Sequence, residues 1–493
     1  MIALWDVNSI TSEMNYIHRV RSIDGQFRAG TATYSCAVIM ARISPRLKAI
    51  SAVVLVLLLI LSGIAAWGAS LKAAVGKVDI TPPPGIRLWG YSDRKSPATG
   101  TLDPLYARVL VLEAGGQSLA LISVDLGRSF GPASLDRLRH AARNDVSFLI
   151  VAATHTHSGP VLQDEYPGGT PAWETAALAK IANAIAEAEK HLTNAQIGTG
   201  YGSTFIGHNR LRVNTHGTVS WFERNLTQVP TAPVDGTVSV LRVDSADGQP
   251  LAILVNYACH PVVFGSDNLQ YSADFPGVMA RTVEDAFESK PLCFFLQGAP
   301  GDINPYYAVT PIEQDAIGMR DWTGQMLGDE AVRIAKEVHT HADAQPELQF
   351  AEDSLSVRLR WDPDKWREAM IAVFGSTGSE PFAPRLDEIR LRVTTVLIDR
   401  RIAILSMPGE PFIEYQITWR QRCPVADAFL IGYANGYNGY FPSIRSATLG
   451  GYGATNPATW VEVGAGDRML DTGVTRINQM LGRLHELPED FRK

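Results

Sequence analysis

The sequence predicts an α/β protein: mixed β-sheets flanked by helices, a metal site at the C-terminal ends of strands, and an N-terminal hydrophobic signal or anchor helix ahead of the fold. Three observations carry this expectation. Six short apolar runs end in ligand-type or acid/base residues, strand-like and helix-like segments alternate as far as about residue 340, and a long uncharged stretch precedes them all. Sites in α/β proteins gather at the carboxyl ends of strands, so one shared cleft is the economical account of the six endings.

Residues 1–45 lack helical or strand periodicity and read as a disordered or wrongly assigned extension, with the true start near Met40. Residues 46–70 contain the run Ala49–Ala69, uncharged and about long enough to cross a bilayer. Arg42, Arg46 and Lys48 precede it, the flank of a signal peptide or of an anchor with a cytoplasmic N-terminus. The chain is therefore expected to be exported, with the choice between cleaved signal and retained anchor left open.

The globular body is expected over residues 73–490. It opens with a strand from Ala73 that runs into Pro82-Pro83-Pro84. Val109–Glu113 and Leu119–Val124 flank Gly115-Gly116 and read as a hairpin. Pro132 introduces a helix over Ala133–Asn144. Phe148–Ala153 is a β-branched run that breaks into His155 and His157. Trp173, Ala177, Ile181 and Ile185 repeat at helical spacing, giving a helix over Ala172–Lys190 with one core-facing stripe. Leu251–Cys259 ends in His260-Pro261, and Cys293–Leu296 ends in Gln297 and Gly298. Further helices are expected over Val278–Glu288 and Gln325–Val338. Leu355–Trp361 and Arg390–Asp399 read as strands, the second pairing with Arg401–Met407, which ends in Pro408-Gly409-Glu410. Ala428–Tyr433 leads into Asn435-Gly436-Tyr437-Asn438-Gly439-Tyr440. Asp343–Pro346 and Gly375–Pro384 read as surface loops, and neither marks a domain boundary.

Composition narrows the function. Apolar residues at 46% and charged residues at 19% suit a sizeable core, and a net charge of −7 argues against a nucleic-acid partner. Cys36, Cys259, Cys293 and Cys423 are too few and scattered for a disulfide scaffold or a Cys-type zinc site. Histidine is different: on an extended chain His155 and His157 face one side, and neutral imidazole is a good metal ligand. Read alone, that pair leaves a metal site and two surface histidines evenly matched.

ATHTHSGP, the GHNR of residues 207–210, the strand ending in His260-Pro261, GDINP, PGEP and NGYNGY resemble, in the same order, the neutral/alkaline (non-lysosomal) ceramidase family, over its N-terminal catalytic domain. Members are zinc amidohydrolases that cleave the N-acyl bond of ceramide. The resemblance implies zinc (Zn2+) bound by His155, His260, Glu410 and Tyr440, with His157 beside the metal. It implies Arg210 at the substrate or the developing oxyanion and Tyr452 near the reacting carbonyl. Asp125 and Asp302 would orient ligands. Two departures stand out. Asn304 replaces a serine offered as nucleophile or substrate contact, which closes a serine-acyl route but leaves Asn304 able to hydrogen-bond substrate. Ceramidases also carry a C-terminal β-sandwich domain, whereas this sequence runs only from Tyr452 to Lys493 beyond the last motif.

The expected substrate is a lipid-like N-acyl amide, a membrane surface is a candidate partner, and oligomeric state is left open. Zinc with nitrogen and oxygen ligands acidifies a water and polarises an amide carbonyl, and His157 can carry the proton to the leaving amine. The alternatives are a hydrolase of the same fold acting on another amide or ester, and an inactive membrane-tethered binding protein. Ser158 is expected to form its turn rather than act as nucleophile, His208 is balanced between cleft and local bonding, and His339 and His341 read as a solvated helix end. Cys259 reads as core, Asn225-Leu226-Thr227 fits a glycosylation sequon, and Trp89, Tyr91, Trp221 and Phe222 are candidates for an apolar channel.

Overall fold

A computed structural model describes residues 70–166, 168–374 and 389–484. The chain divides into two units, Met1–Trp67 and Gly68–Lys493, the first wholly outside the described residues. The extension over residues 1–45, the apolar run Ala49–Ala69 and the loop Gly375–Pro384 also lie outside them. Among the described residues no helix is long and apolar enough to cross a membrane.

Two mixed sheets share a core. The larger contains β1 (Lys72–Asp79), β2 (Tyr106–Ala114), β3 (Gln117–Val124), β4 (Phe148–Ala153), β5 (Thr193–Ser203), β6 (Thr237–Ser245), β7 (Pro250–Tyr257) and β8 (Leu292–Gln297). Their order is β8-β7-β6-β5-β1-β2-β3-β4. The smaller holds β9 (Leu348–Val357), β10 (Ile389–Ile398), β11 (Ile402–Ser406) and β12 (Asp427–Ile431), in that order. Within these sheets three pairs are parallel: β3/β4, β7/β8 and β11/β12. These are the six strands behind the six apolar runs. Parallel strands are covered on both faces, which is why they read as unbroken apolar stretches and not as alternating ones.

Their carboxyl ends converge. β1 meets β5 only through Lys72–Asn194 and Ala73–Thr193, and the two edges of the large sheet come together across the core. Ser123 Oγ on β3 donates to the Phe295 carbonyl on β8 at 2.8 Å, and Gln297 Nε2 donates to the Thr154 carbonyl beyond β4 at 3.2 Å. The small sheet closes the group: Gly432 N donates to Gln297 O at 2.9 Å, and Ala153 N to Tyr433 O at 3.3 Å. Leu121, Leu254 and Phe294 of the large sheet pack with Val396, Ile404 and Phe429 of the small one. Each such buried side chain contributes about 1.5–3 kcal/mol.

The helices are α1 (Pro132–Ala142), α2 (Ala172–Lys190), α3 (Asp274–Asp285), α4 (Ala316–Glu337), α5 (Pro363–Phe374), α6 (Ile413–Arg422), α7 (Ile444–Leu449) and α8 (Ala465–Met480). α1 and α2 cover the outside of β1–β4, α3 and α4 that of β5–β8, and α6 and α8 the small sheet. α2 has the expected ends, with Ala177, Ile181 and Ile185 buried. α3 begins at Asp274, ahead of the expected Val278, because Pro276 sits in the first turn, where a missing N–H has no intrahelical partner to lose. α4 begins at Ala316, not Gln325: Asp315 caps it by accepting from Gly318 N at 3.1 Å. Close contact also has a sequence cause. A Cβ on Gly200 of β5 would stand 2.7 Å from Val338, so the glycine lets the end of α4 lie on the strand. The hairpin at Gly115-Gly116 is as expected (φ 60° and 76°). The strand expected at Leu355–Trp361 instead ends at Val357, having begun at Leu348.

Candidate metal centre

Past the end of β4 the chain turns sharply. His155 has φ 70°, and its ring stacks at 3.9 Å on Tyr433, which has φ 51°. Non-glycine residues at positive φ are strained and persist where their surroundings over-determine them. His155 Nδ1 lies 2.5 Å from the Gly127 carbonyl. His260, after β7, donates its backbone N–H to Ile303 O at 3.0 Å, and its Nδ1 lies 2.7 Å from Pro300 O. A carbonyl only accepts, so both rings carry the proton on Nδ1 and present the Nε2 lone pair. Those two Nε2 atoms face Glu410 Oε2 at 3.7 and 3.2 Å, and His157 Nε2 lies 3.2 Å from His155 Nε2. Ligand nitrogens of His155, His157 and His260 all fall within 4.8 Å of one another. The other carboxylate oxygen, Glu410 Oε1, accepts from Tyr437 at 2.5 Å.

Electrostatics fix the charge states. Burial pushes the His155 imidazole down to about 3, His157 well below its usual range and His260 in the same direction. Burial alone would raise the Glu410 carboxyl, but the neighbouring His155 and His260 rings and the hydrogen bond from Tyr437 bring it down to about 2. Near neutral pH the cluster is therefore neutral imidazoles around a carboxylate, the forms that bind metals. The Nε2 lone pairs of His155 and His260 then meet the Glu410 Oε2 lone pairs at 3.7 and 3.2 Å. Such convergence is costly in a buried site unless a cation lies at its centre. The nitrogen and oxygen donor set fits a divalent ion of the zinc type.

A second group adjoins the first. Glu410 and Tyr440 are register partners in a short parallel bridge. Arg210 Nη2 donates to Tyr440 Oη at 3.1 Å and Gly301 O at 2.8 Å, and Nη1 donates to Asn304 Oδ1 at 3.0 Å. The guanidinium lies 5.0, 5.7 and 5.4 Å from the rings of Trp221, Tyr440 and Tyr452. Asn304 Nδ2 donates to Glu223 O at 3.1 Å, so this amide is engaged at both ends. His157, Glu410, Tyr440 and Tyr452 line a cavity of about 340 Å³ whose other walls include Leu88, Trp89, Trp173, Met370 and Trp460.

All eight site residues expected from the sequence thus fall in one neighbourhood, as two linked groups. Of the smaller expectations, some hold and some need correction. Asp125 does not touch a histidine: its carboxylate takes Arg108 Nη1 and Tyr106 N, each at 2.9 Å, and the Gly127 carbonyl two residues on orients His155 instead. Asp302 accepts from Asn209 Nδ2 at 2.6 Å and Ile413 N at 2.8 Å, bracing the Arg210 segment against α6 without contacting a ligand ring. Ser158 is buried, its hydroxyl accepting from Asn268 at 2.9 Å. His208 bonds the Phe222 carbonyl at 2.8 Å, and Phe222 packs on it, so neither reaches the cavity. Trp89 and Tyr91 do line it, whereas Trp221 covers Arg210. His341 is exposed beside Arg401, and Cys259 and Cys293 are buried free thiols. Asn225 is 1% exposed and pinned at both side-chain ends to Val229, so the sequon is closed to a glycan.

Sequence reasoning missed Tyr433, Tyr437 and Gln297. Gln297 Nε2 also donates to Cys259 O at 2.8 Å, strapping both histidine segments together. Its only sequence signal was its place at the end of an apolar run.

Fold and site together define an α/β protein built around a buried imidazole–carboxylate cluster at the convergent ends of three parallel strand pairs. The chain belongs to the neutral/alkaline ceramidase family: residues 72–315 match the model described as neutral/alkaline non-lysosomal ceramidase, N-terminal. A neutral ceramidase from Pseudomonas aeruginosa is 26% identical over 259 residues, covering 49% of this chain and 38% of the relative. The aligned stretch is thus well under two thirds of that relative's length. The crystal structure of neutral ceramidase from Pseudomonas aeruginosa superposes with a TM-score of 0.67 at 18% identity, over 84% of this chain and 75% of that one. A ceramidase complexed with C2 gives 0.63 at 18% identity, over 85% and 76%. At such identities these two likenesses establish the fold.

Proposed function

We propose that this chain is an exported zinc-dependent amidohydrolase that cleaves the N-acyl amide bond of ceramide or a ceramide-like lipid. Family membership supports amide hydrolysis of this kind. The observation that carries the reading is the meeting of the His155, His260 and Glu410 lone pairs beside a largely apolar cavity. His155, His260, Glu410 and Tyr440 would hold the ion. Zinc bound there would acidify a water and polarise the amide carbonyl.

The remaining work falls to side chains. Arg210, held by Asn304 and Gly301, presents a fixed positive charge toward the reacting carbonyl, and the Tyr452 hydroxyl supplies a second donor to the oxyanion. His157, whose Nδ1 has no hydrogen-bond partner, can take a proton at one ring nitrogen and release it to the leaving amine. Asn304 acts by holding Arg210. The aromatic and aliphatic walls accept an acyl or alkyl chain and exclude water. Export rests on the Ala49–Ala69 run with its basic flank.

The test is hydrolysis of labelled ceramide and a panel of N-acyl amides by purified protein, with and without chelator, alongside metal analysis. Chelator-sensitive release of fatty acid from ceramide is the expected result. Release from other amides alone would move the assignment to another substrate of the same fold. Bound metal with no hydrolysis of any amide or ester would leave a binding protein.

A further inference from the structure

His155 and His260 are each fixed through Nδ1 by a main-chain carbonyl, but His157 is not. Its Nδ1 is buried without a partner. The ring is confined by Tyr91, edge-on at 5.1 Å, and by Gly90, where a Cβ would stand 2.3 Å from Nδ1. No hydrogen bond anchors the outer side of this imidazole, so its place depends on the backbone that carries it.

That backbone is held by Arg94. Nη1 donates to the His157 carbonyl at 2.8 Å and the Trp89 carbonyl at 3.2 Å. Nη2 donates to Gly265 O at 3.1 Å, and Nε to Ser266 O at 3.3 Å. The guanidinium also lies 4.8 Å over the Tyr91 ring, and Tyr91 Oη donates to Phe264 O at 2.8 Å. Arg94 is 4% exposed. Three segments therefore meet on one side chain: the cavity wall from Trp89, the His157 turn and the stretch following His260. Its four acceptors are all main-chain carbonyls. A planar fork of five N–H donors can span such an arrangement, whereas an ammonium group, with its donors on one nitrogen, cannot.

We propose that Arg94 is the positioning residue of His157, doing through the backbone what the Gly127 and Pro300 carbonyls do directly for the other two rings. The proposal rests on the reading of His157 as a working group of the site. A merely structural arginine would stabilise the whole fold evenly. A positioning one affects the His157 turn and leaves the ion-holding residues in place.

The experiment compares Arg94→Lys and Arg94→Ala with wild type, each loaded with zinc and checked by far-UV circular dichroism. Zinc stoichiometry is expected to stay at the wild-type value. Amide hydrogen exchange is expected to rise in residues 155–160 and 89–94 and to stay unchanged in β1–β3. On whichever amide the wild type hydrolyses, kcat should fall roughly 10- to 100-fold, the usual effect of removing an outer supporting partner. KM should move little, and added guanidinium should restore part of the turnover of Arg94→Ala. Wild-type exchange at 155–160 in Arg94→Lys would overturn the proposal. So would uniformly raised exchange, or failure of both variants to fold, since either assigns Arg94 to global stability. If the wild type hydrolyses nothing, exchange and zinc content still decide the role of Arg94, and only the functional reading falls.

Discussion

Two buried polar clusters in this protein invite comparison, because burial and charge alone do not tell them apart. At the start of α3, Asp103 Oδ2 accepts from Ser272 Oγ at 2.6 Å and Arg320 Nη1 at 2.7 Å, and Oδ1 accepts from Ala273 N at 2.9 Å. Asp274 beside it accepts from Phe275 N at 2.6 Å and Phe264 N at 3.3 Å. Every carboxylate oxygen there meets a donor. In the histidine cluster His155 and His260 donate outward through Nδ1, and their inward Nε2 atoms face Glu410 Oε2 acceptor to acceptor. One cluster is closed by its own donors, and the other turns acceptors toward a common point. That mismatch, rather than burial, marks the site.

The largest effect should come from the open cluster. His155→Ala, His260→Ala or Glu410→Ala should each weaken metal binding by roughly 1000-fold, about 4 kcal/mol. Chelator competition measures this, and wild-type affinity in any two of them would erase the distinction between the clusters. The closed cluster should respond in the other currency of measurement, stability. Asp103→Ala removes the buried partner of Arg320, leaving it only the exposed Asp321, and should cost about 3 kcal/mol in denaturant unfolding, at the low end for a broken buried pair, with metal content unchanged.

A finer test uses pH. Burial raises the Asp274 carboxyl from 3.8 to about 6. A folded-state value above the unfolded one means stability that is full below pH 3.8 and is lost as pH rises through about 6. Asn keeps one of the two acceptor oxygens, a loss that does not vary with pH, and tolerates the local φ of 56°. The stability of wild type relative to Asp274→Asn should therefore fall by on the order of 2–3 kcal/mol between pH 3.8 and 7. A flat difference would show that Asp274 is not held protonated. The smallest effect expected is from Tyr437→Phe, which frees Glu410 Oε1. Metal affinity should drop roughly 10- to 100-fold, about 1.4–2.8 kcal/mol, with unchanged thermal stability in chelator.

Much of the architecture was legible because it depends on local pattern. The six parallel strands announced themselves as unbroken apolar runs, and α2 as a stripe at Ala177, Ile181 and Ile185. α8 was not legible. Gly466 and Gly473 weaken its helical signal, yet a Cβ at those positions would stand 2.4 Å from Tyr415 and 2.8 Å from Leu405, so both glycines permit close packing. α4 was read late because its cap, Asp315, lies in a stretch without apolar periodicity. At the site, the strand-end histidines and Glu410 could be found from their positions and the motifs. The left-handed backbone of His155, its stacking on Tyr433 and the reach of Arg94 across three loops could not. Each joins residues far apart in the chain, and no local pattern encodes them.

The sheet each donor comes from has a mechanical consequence. The imidazoles follow strands β4 and β7 of the large sheet, and Glu410 follows β11 of the small one. An ion gripped by both would act as a rivet through the molecule, and by mass action its binding free energy would be added to the cohesion of the two halves. Stripping it out should then loosen the seam between the sheets before either sheet frays.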